Sequence, residues 1–196
     1  MPEIVTYEGV SYTVTSIGSC TFFGCDEITS VVIPNSISTI GVLNSLEYAD
    51  VGAFQNCTGL SDISFGNALV SIGDKTFFCC SNLTTISIPE TITNIGYKAF
   101  HNCGWYNNQP DGILYLSNCC LGYKGPQPIG FLYLADNTQL IADFAFGDCE
   151  GLIGTLVIPN SVEHIGRCAF SMYRPEAGWY KPTNFTSLRL GNSVNL

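Results

Sequence analysis

The sequence predicts a strand-rich solenoid with little helix, and three observations lead there. A large aromatic residue in a small-large apolar corner recurs at Phe22, Phe54, Phe77, Phe100, Phe146 and Phe170, with gaps of 32, 23, 23, 46 and 24. The stretch Leu83–Cys103 reads as the template for the rest. It carries a strand-type alternation, Leu83, Ile86 and Ile88, stopped by Pro89, then Ile92, Ile95 and Gly96 before the corner Ala99-Phe100. Proline ends the alternation because it brings no N–H to a ladder, and Gly96 suits a backbone kink. Finally, 46% of the residues are hydrophobic against 12% charged, so the coils have ample apolar material to bury on one another.

Taken in order, Glu3–Tyr12 alternates around Glu8-Gly9 and predicts a β-hairpin over residues 1–16, expected to cover the first coil, because solenoid ends need caps. Residues 17–196 are then repeats, and the whole of 1–196 is expected to be a single solenoid. The gap of 32 is one period plus an insertion near 42–50. The gap of 46 is two periods, with a decayed coil from Gly104 to Gly125 in which an insertion near 104–112 is followed by Tyr123 in the phenylalanine slot. The gap of 24 reflects one extra residue in Leu152-Ile153-Gly154-Thr155-Leu156, as a bulge requires. A third insertion, near 171–184, delays the strand Phe185–Leu190. The beat stops mid-coil at Leu196, so the chain is expected to be a piece of a longer one, without a C-terminal cap comparable to the hairpin.

A period of roughly 20 to 29 residues with one short Leu-x-x-Ile-x-Ile strand per coil is the mark of an α/β-type leucine-rich-repeat solenoid. Its right-handed coils of about 23 residues are expected to lay their strands in one parallel sheet along one face, with turns and short 3₁₀ pieces elsewhere. The sequence Ile-Pro, then Asn-Ser-Ile or Glu-Thr-Ile, then Ile-Gly-x-x-Ala-Phe-x-x-Cys-x-x-Leu resembles the BspA-like class of leucine-rich repeat proteins, and the resemblance covers Ile17 to Leu190. It implies a secreted or cell-surface protein of a host-associated anaerobic bacterium or parasitic protist, with a role in adhesion. It implies no enzyme and carries no fixed set of binding residues.

Charge and composition exclude several classes. Seven Lys and Arg, scattered, and a net charge of −9 argue against a nucleic-acid partner. No apolar run is long enough to span a bilayer, and Met1-Pro2-Glu3 does not begin a signal peptide. Cys25, Cys57, Cys80, Cys103 and Cys149 share one slot, three residues after the corner aromatic, and should stack as an internal ladder of reduced, buried thiols. Parallel neighbours hold Cβ atoms about 4.8 Å apart, whereas a disulfide needs about 3.8 Å. Cys20 and Cys168 share another slot, and the adjacent pairs Cys79-Cys80 and Cys119-Cys120 lack zinc-site spacing. His101 reads as a solvated corner residue, neither it nor His164 has a catalytic partner at motif spacing, and the densest carboxylates, Asp26-Glu27 and Asp148 with Glu150, read as solvated faces. No catalytic residue, metal site or cofactor is expected.

Three features break the repeat. Gly104-Trp105-Tyr106 and Gly178-Trp179-Tyr180 each follow a corner phenylalanine, and their aromatics either anchor a partner or fold back over their own insertions. Alternation also points Val32, Ser64, Ser87, Tyr115, Tyr133, Val157 and Arg189 out of the strand face, where the tyrosines serve either a ligand or cross-strand packing. The expected binding residues are Trp105, Tyr115 and Tyr133 as one patch, with Trp179 and Tyr180 as a second. The function expected is a non-catalytic extracellular binding module for a protein or glycan on host or neighbouring cells; the alternative is a structural spacer with no ligand of its own.

Overall fold

The structure is a computed structural model and describes residues 2–42, 51–174 and 179–191, with the side chains of 172–182 outside the description. The expected insertion near 42–50 lies, from residue 43 on, outside the described residues. The chain divides into two compact units, Met1–Gln109 and Pro110–Leu196, each considered on its own.

The first unit opens with β1 (Ile4–Tyr7) and β2 (Val10–Thr13), an antiparallel hairpin pairing Val5 with Tyr12 and Tyr7 with Val10. Glu8 and Gly9 both have positive φ, 50° and 81°, which gives the tight reversal the right twist for its strands. All eight strand residues are nevertheless exposed, so the hairpin does not lay its apolar side on the first coil.

The coils of this unit build two parallel ladders where one was expected. The first joins β4 (Ser30–Val32) to β6 (Asp62–Ser64), with Val31 opposite Ile63. The second runs through β3 (Ser16–Ile17), β5 (Thr39–Ile40), β7 (Ser71–Ile72) and β8 (Asn94–Ile95). Its apolar members, Ile17, Ile40, Ile72 and Ile95, are all buried. These strands are too short for periodicity to separate from a turn. The template segment Leu83–Ile88 is itself not assigned as a strand, although Leu83 and Ile88 are buried. After Cys103 the chain turns into α1 (Gly104–Asn108), and the Trp105 N–H donates to the Leu83 carbonyl at 2.7 Å.

The corners form a third set of inter-coil contacts. Phe22, Phe54, Phe77 and Phe100 stack face to face with ring centroids 4.9, 5.5 and 5.5 Å apart. Beside the rings, the N–H groups of Phe22, Phe54 and Phe77 donate to the carbonyls of Ala53, Thr76 and Ala99 in the next coil. The kink expected at Gly96 lies elsewhere. The left-handed residues are Cys20, Lys75 and Lys98, two before the aromatic, and Asn56, Cys79 and Asn102, two after it. Gly96 is needed for closeness instead, since a Cβ there would lie 2.5 Å from the Asp74 amide.

The second unit replaces the expected decayed coil with an antiparallel hairpin, β9 (Gly112–Leu116) and β10 (Cys119–Lys124), in which Tyr123 faces Ile113. The turn is made by Ser117, with φ of 54°, and Asn118. β10 then continues a parallel ladder to β11 (Leu140–Ile141) and β13 (His164–Ile165), so that Cys120 occupies the slot of Ile141 and Ile165. β12 (Ile153–Val157) pairs in parallel with β16 (Asn184–Arg189), with a register shift between Gly154 and Thr155. In the insertion after Phe170, β14 (Ser171–Arg174) and β15 (Trp179–Pro182) form an antiparallel pair. Phe146 and Phe170 stack at 5.7 Å, repeating the corner of the first unit.

Phe77 is fully buried, stacked on both faces and met edge-on by Phe65. Phe77→Ala is expected to destabilise the protein by about 3–5 kcal/mol, the range for emptying a buried aromatic site. Urea unfolding followed by circular dichroism should show this as a lower midpoint with the slope retained.

Candidate functional site

In the second unit, exposed aromatic and aliphatic side chains gather on one face. Segment 129–134 runs beside β12 through the Gly130–Leu152 bridge and the Ile153 N–H to Gly130 carbonyl bond of 2.8 Å. Its side chains alternate: Leu132 and Leu134 are buried, while Ile129, Phe131 and Tyr133 are 90%, 61% and 78% exposed. On β12 the exposed residues are Ile153 and Val157; on β16, Ser187 and Arg189 stand opposite Thr155 and Val157. Phe131 and Tyr133 are neighbours, with ring centroids 6.4 Å apart.

This face depends on Gly154. Its φ is +82°, and a Cβ there would run into the ring of Phe131, so the ring rests against bare backbone. The outcome is an aromatic and aliphatic surface of three adjacent extended segments. β16 gives it a polar margin in Ser187 and Arg189, with the Ser187 and Thr155 hydroxyls 2.6 Å apart, and the chemistry of the other two segments is apolar contact and ring stacking.

The expected site residues fare differently. Tyr133 projects from the face. Tyr115 is half-buried against the second unit's core, and its hydroxyl accepts from the Ala135 N–H at 2.9 Å and from Thr138 Oγ1 at 3.2 Å. It is a strut under segment 129–138. Trp105 is only 9% exposed, tucked into α1 of the first unit. Buried there, Trp105 is not presented on the surface beside Tyr133. Trp179 and Tyr180 pair along β15 with Arg174 and Tyr173, and their side chains lie outside the description. Val32, Ser64 and Ser87 do face outward, but with Ser30 and Asp62 they make the first unit's strand face mostly small and polar. Sequence reading missed Phe131 and Ile129 because that segment has no template pattern; the signal available was the alternation Ile129, Phe131, Tyr133 against Leu132 and Leu134.

The titratable groups serve the fold. All ten cysteines are free thiols. Cys57 and Cys80 donate to the carbonyls of the preceding coil's corner residues, Phe22 at 2.9 Å and Phe54 at 3.1 Å. Cys103 caps α1 by accepting from the Tyr106 N–H. Cys25 is half-exposed rather than buried, since β3 of its coil is an edge of the ladder. His101 is not a solvated turn: it is half-buried between the rings of Phe78 and Tyr106, 5.8 and 4.5 Å away. Burial, and secondarily the charge of Lys98, holds its pKa below the usual histidine value. Asp74 and Asp143 are buried, and each accepts a backbone N–H from the next coil, Tyr97 at 2.7 Å and Arg167 at 2.6 Å. Among the described residues no group of three or more His, Cys, Asp or Glu is arranged to hold a metal ion, and no helix is long and apolar enough to cross a membrane.

Burial pushes the Cys119 and Cys149 thiols up to about 11 and Cys120 to about 12, from an ordinary value of 9.0. In this window the native state holds protons that the unfolded chain has released. Stability from these groups is therefore complete below pH 9 and lost as pH rises toward 12. Chemical denaturation across that range should show a progressive fall, lessened in Cys120→Ala. For this face, Gly154→Val is expected to cost about 1–3 kcal/mol through its left-handed φ alone, with a near-ultraviolet change as Phe131 is displaced.

A profile described as "BspA type Leucine rich repeat region" matches residues 5–108 and 123–192 in 6 copies. A search of curated proteins finds no match. Among solved structures, a leucine-rich repeat protein from Bacteroides capillosus is 34% identical over 48% of this chain and 62% of its own, with a TM-score of 0.42. One from Bacteroides ovatus is 22% identical over 99% of this chain and 45% of its own, with a TM-score of 0.48. A leucine rich cell surface protein from Faecalibacterium prausnitzii is 18% identical over 99% of this chain and 69% of its own, with a TM-score of 0.30. The chain thus spans less than two thirds of the length of the two Bacteroides proteins. Six successive profile matches over most of its length, on residues that build parallel ladders and a stacked corner, show that the chain belongs to the BspA type leucine-rich repeat family.

Proposed function

We propose that this chain is a non-catalytic binding module, one right-handed solenoid displayed outside the cell or at its surface, with the coil length that the spacing of its corner aromatics sets. Its partner is a protein or glycan on host or neighbouring cells, and the binding face is that of Ile129, Phe131, Tyr133, Ile153 and Val157. The observation that carries the reading is the pair Phe131 and Tyr133, both more than half exposed and side by side, with ring centroids 6.4 Å apart. Aromatic rings presented without a burial role offer contact area at little entropic cost, and such residues are enriched among interface anchors. The surface location rests on the family resemblance.

A spacer role has an observation of its own: the first unit's strand face is mostly small and polar, the surface a ligand-free segment would present. The test is a binding screen of the intact chain against extracellular-matrix proteins and glycans, repeated with Phe131→Ala and Tyr133→Ala. Each variant should keep the wild-type melting profile and lose about 1–3 kcal/mol of affinity for any ligand found. Undiminished affinity in both variants would move the site elsewhere, and an empty screen would favour the spacer.

A further inference from the structure

The corners of the first unit carry positive charge that the fold does not use. Lys75 and Lys98 each stand two residues before a corner phenylalanine, in successive coils, and both are left-handed, with φ of 53° and 55°. The Lys75 N–H donates to the Tyr97 carbonyl at 2.9 Å and the Phe77 N–H to the Ala99 carbonyl at 2.7 Å, so the two coils run in register at about the 4.8 Å of adjacent extended chains. Two ammonium groups are thereby rooted side by side. Like charges placed so repel, and among the described residues no carboxylate pairs with either one. Lys98 Nζ lies over the Tyr97 ring instead, 4.9 Å from its centroid.

The surroundings do not relieve the repulsion. Residues 51–109 contain three acids, Asp62, Asp74 and Glu90, and none serves this edge. Asp74 is buried with the Tyr97 N–H on its carboxylate, Asp62 lies on β6 beside the Ser30 hydroxyl, and Glu90 follows Pro89 in the turn after the strand segment. The positions two before, one after and two after the corner phenylalanine, taken over the four coils of the first unit, hold Lys75, Lys98 and His101 and no Asp or Glu. That is notable in a chain with sixteen acids and seven Lys and Arg.

The rings beside the lysines have the same preference. Phe78 and His101 stack 5.8 Å apart with their planes 7° from parallel, so they cover each other's faces and turn their edges outward. The edge is the positive part of an aromatic quadrupole. Lys98 stands close enough to His101 for its charge to add to the lowering of the imidazole pKa by burial. Ammonium groups and ring edges thus converge on a site suited to an anion. The net charge of −9 does not oppose this, because at physiological salt charges beyond about 8 Å are largely screened. It does favour a compact anion over a long polyanion, which would run onto the acidic remainder of the surface.

We propose that the Lys75–Lys98 edge of the first unit binds a phosphate group, free or as the monoester of a sugar, with both ammonium groups donating to its oxygens and the edges of Phe78 and His101 against it. A phosphate monoester carries about −1.5 to −2 charge at pH 7 and so balances both lysines, whereas a carboxylate leaves one uncompensated. The site shares no residue with the face of Phe131 and Tyr133. A ligand screen that fails on that face therefore leaves this proposal standing, and the reverse holds.

Nuclear magnetic resonance of the intact chain tests it, helped by there being only two histidines. Inorganic phosphate is titrated in at about pH 8, where it is dianionic, with chloride holding ionic strength constant. The amide signals of Lys75 and Lys98 and the ring signals of His101 should shift together and saturate. His164, in β13 of the second unit, should not move. Lys75→Gln and Lys98→Gln should each weaken binding by about tenfold, the loss expected when a charged donor is removed, while thermal melts stay at the wild-type midpoint. Glucose 6-phosphate separates the two sources: tighter binding than inorganic phosphate assigns the sugar ester, and equal or weaker binding assigns the free ion. Acetate should bind more weakly than either. Shifts that do not saturate or that His164 shares overturn the proposal, and this arm needs no variant. So does acetate binding as tightly as phosphate, or affinity undiminished in both glutamine variants.

Discussion

The stacking of corner phenylalanines is the contact on which the rest of this structure depends. Rings 4.9 to 5.5 Å apart and nearly parallel fit only if successive coils deliver them at the same height, and the Phe N–H bonds to the next coil hold that height. Every other part must then return to register. Ile40 pairs with Ile72 across the long gap between their coils as cleanly as Ile72 pairs with Ile95 across an ordinary one. A slip of one position in a strand would turn the buried isoleucines outward, so register and core are one constraint.

That constraint explains why groups that look chemical are structural here. The left-handed corner residues let the chain send alternate N–H groups to the next coil and the others back to its own. The buried aspartates cap the backbone where the next coil begins, and the Cys57 and Cys80 thiols satisfy corner carbonyls. A carboxylate or thiol placed for catalysis needs access to a substrate; these are closed in by the coils they join. His101, stacked between two rings, belongs with them.

Release from the constraint is where aromatic side chains reach the surface. The second unit breaks the repeat with its β9–β10 hairpin, and segment 129–134 follows without the template pattern. There Leu132 and Leu134 supply the core, and the intervening positions are free to carry Phe131 and Tyr133. Gly154, left-handed at the register shift of β12, lets the Phe131 ring lie against the sheet. The first unit keeps the repeat more strictly and shows a more polar strand face.

The sequence by itself determined what repeats. The spacing of Phe22, Phe54, Phe77, Phe100, Phe146 and Phe170, with Ile and Gly on the same beat, was enough to reveal stacked coils, parallel strands and scarce helix, because periodic burial leaves a periodic trace. The amino-terminal hairpin was legible too, from Glu8-Gly9 between alternating residues. Only the tertiary structure decided how the irregular parts are used. Trp105 and Tyr115 looked like surface aromatics, yet one is buried on α1 and the other props segment 129–138 through its hydroxyl. That Ile17, Ile40, Ile72 and Ile95 pair as a second ladder, and that the backbone is left-handed at Lys75, Cys79 and Lys98, left no mark a one-dimensional pattern could isolate. The physical reason is that a residue's exposure and backbone state are set by neighbours a whole coil away, and outside the repeat nothing in the sequence says which neighbours those are.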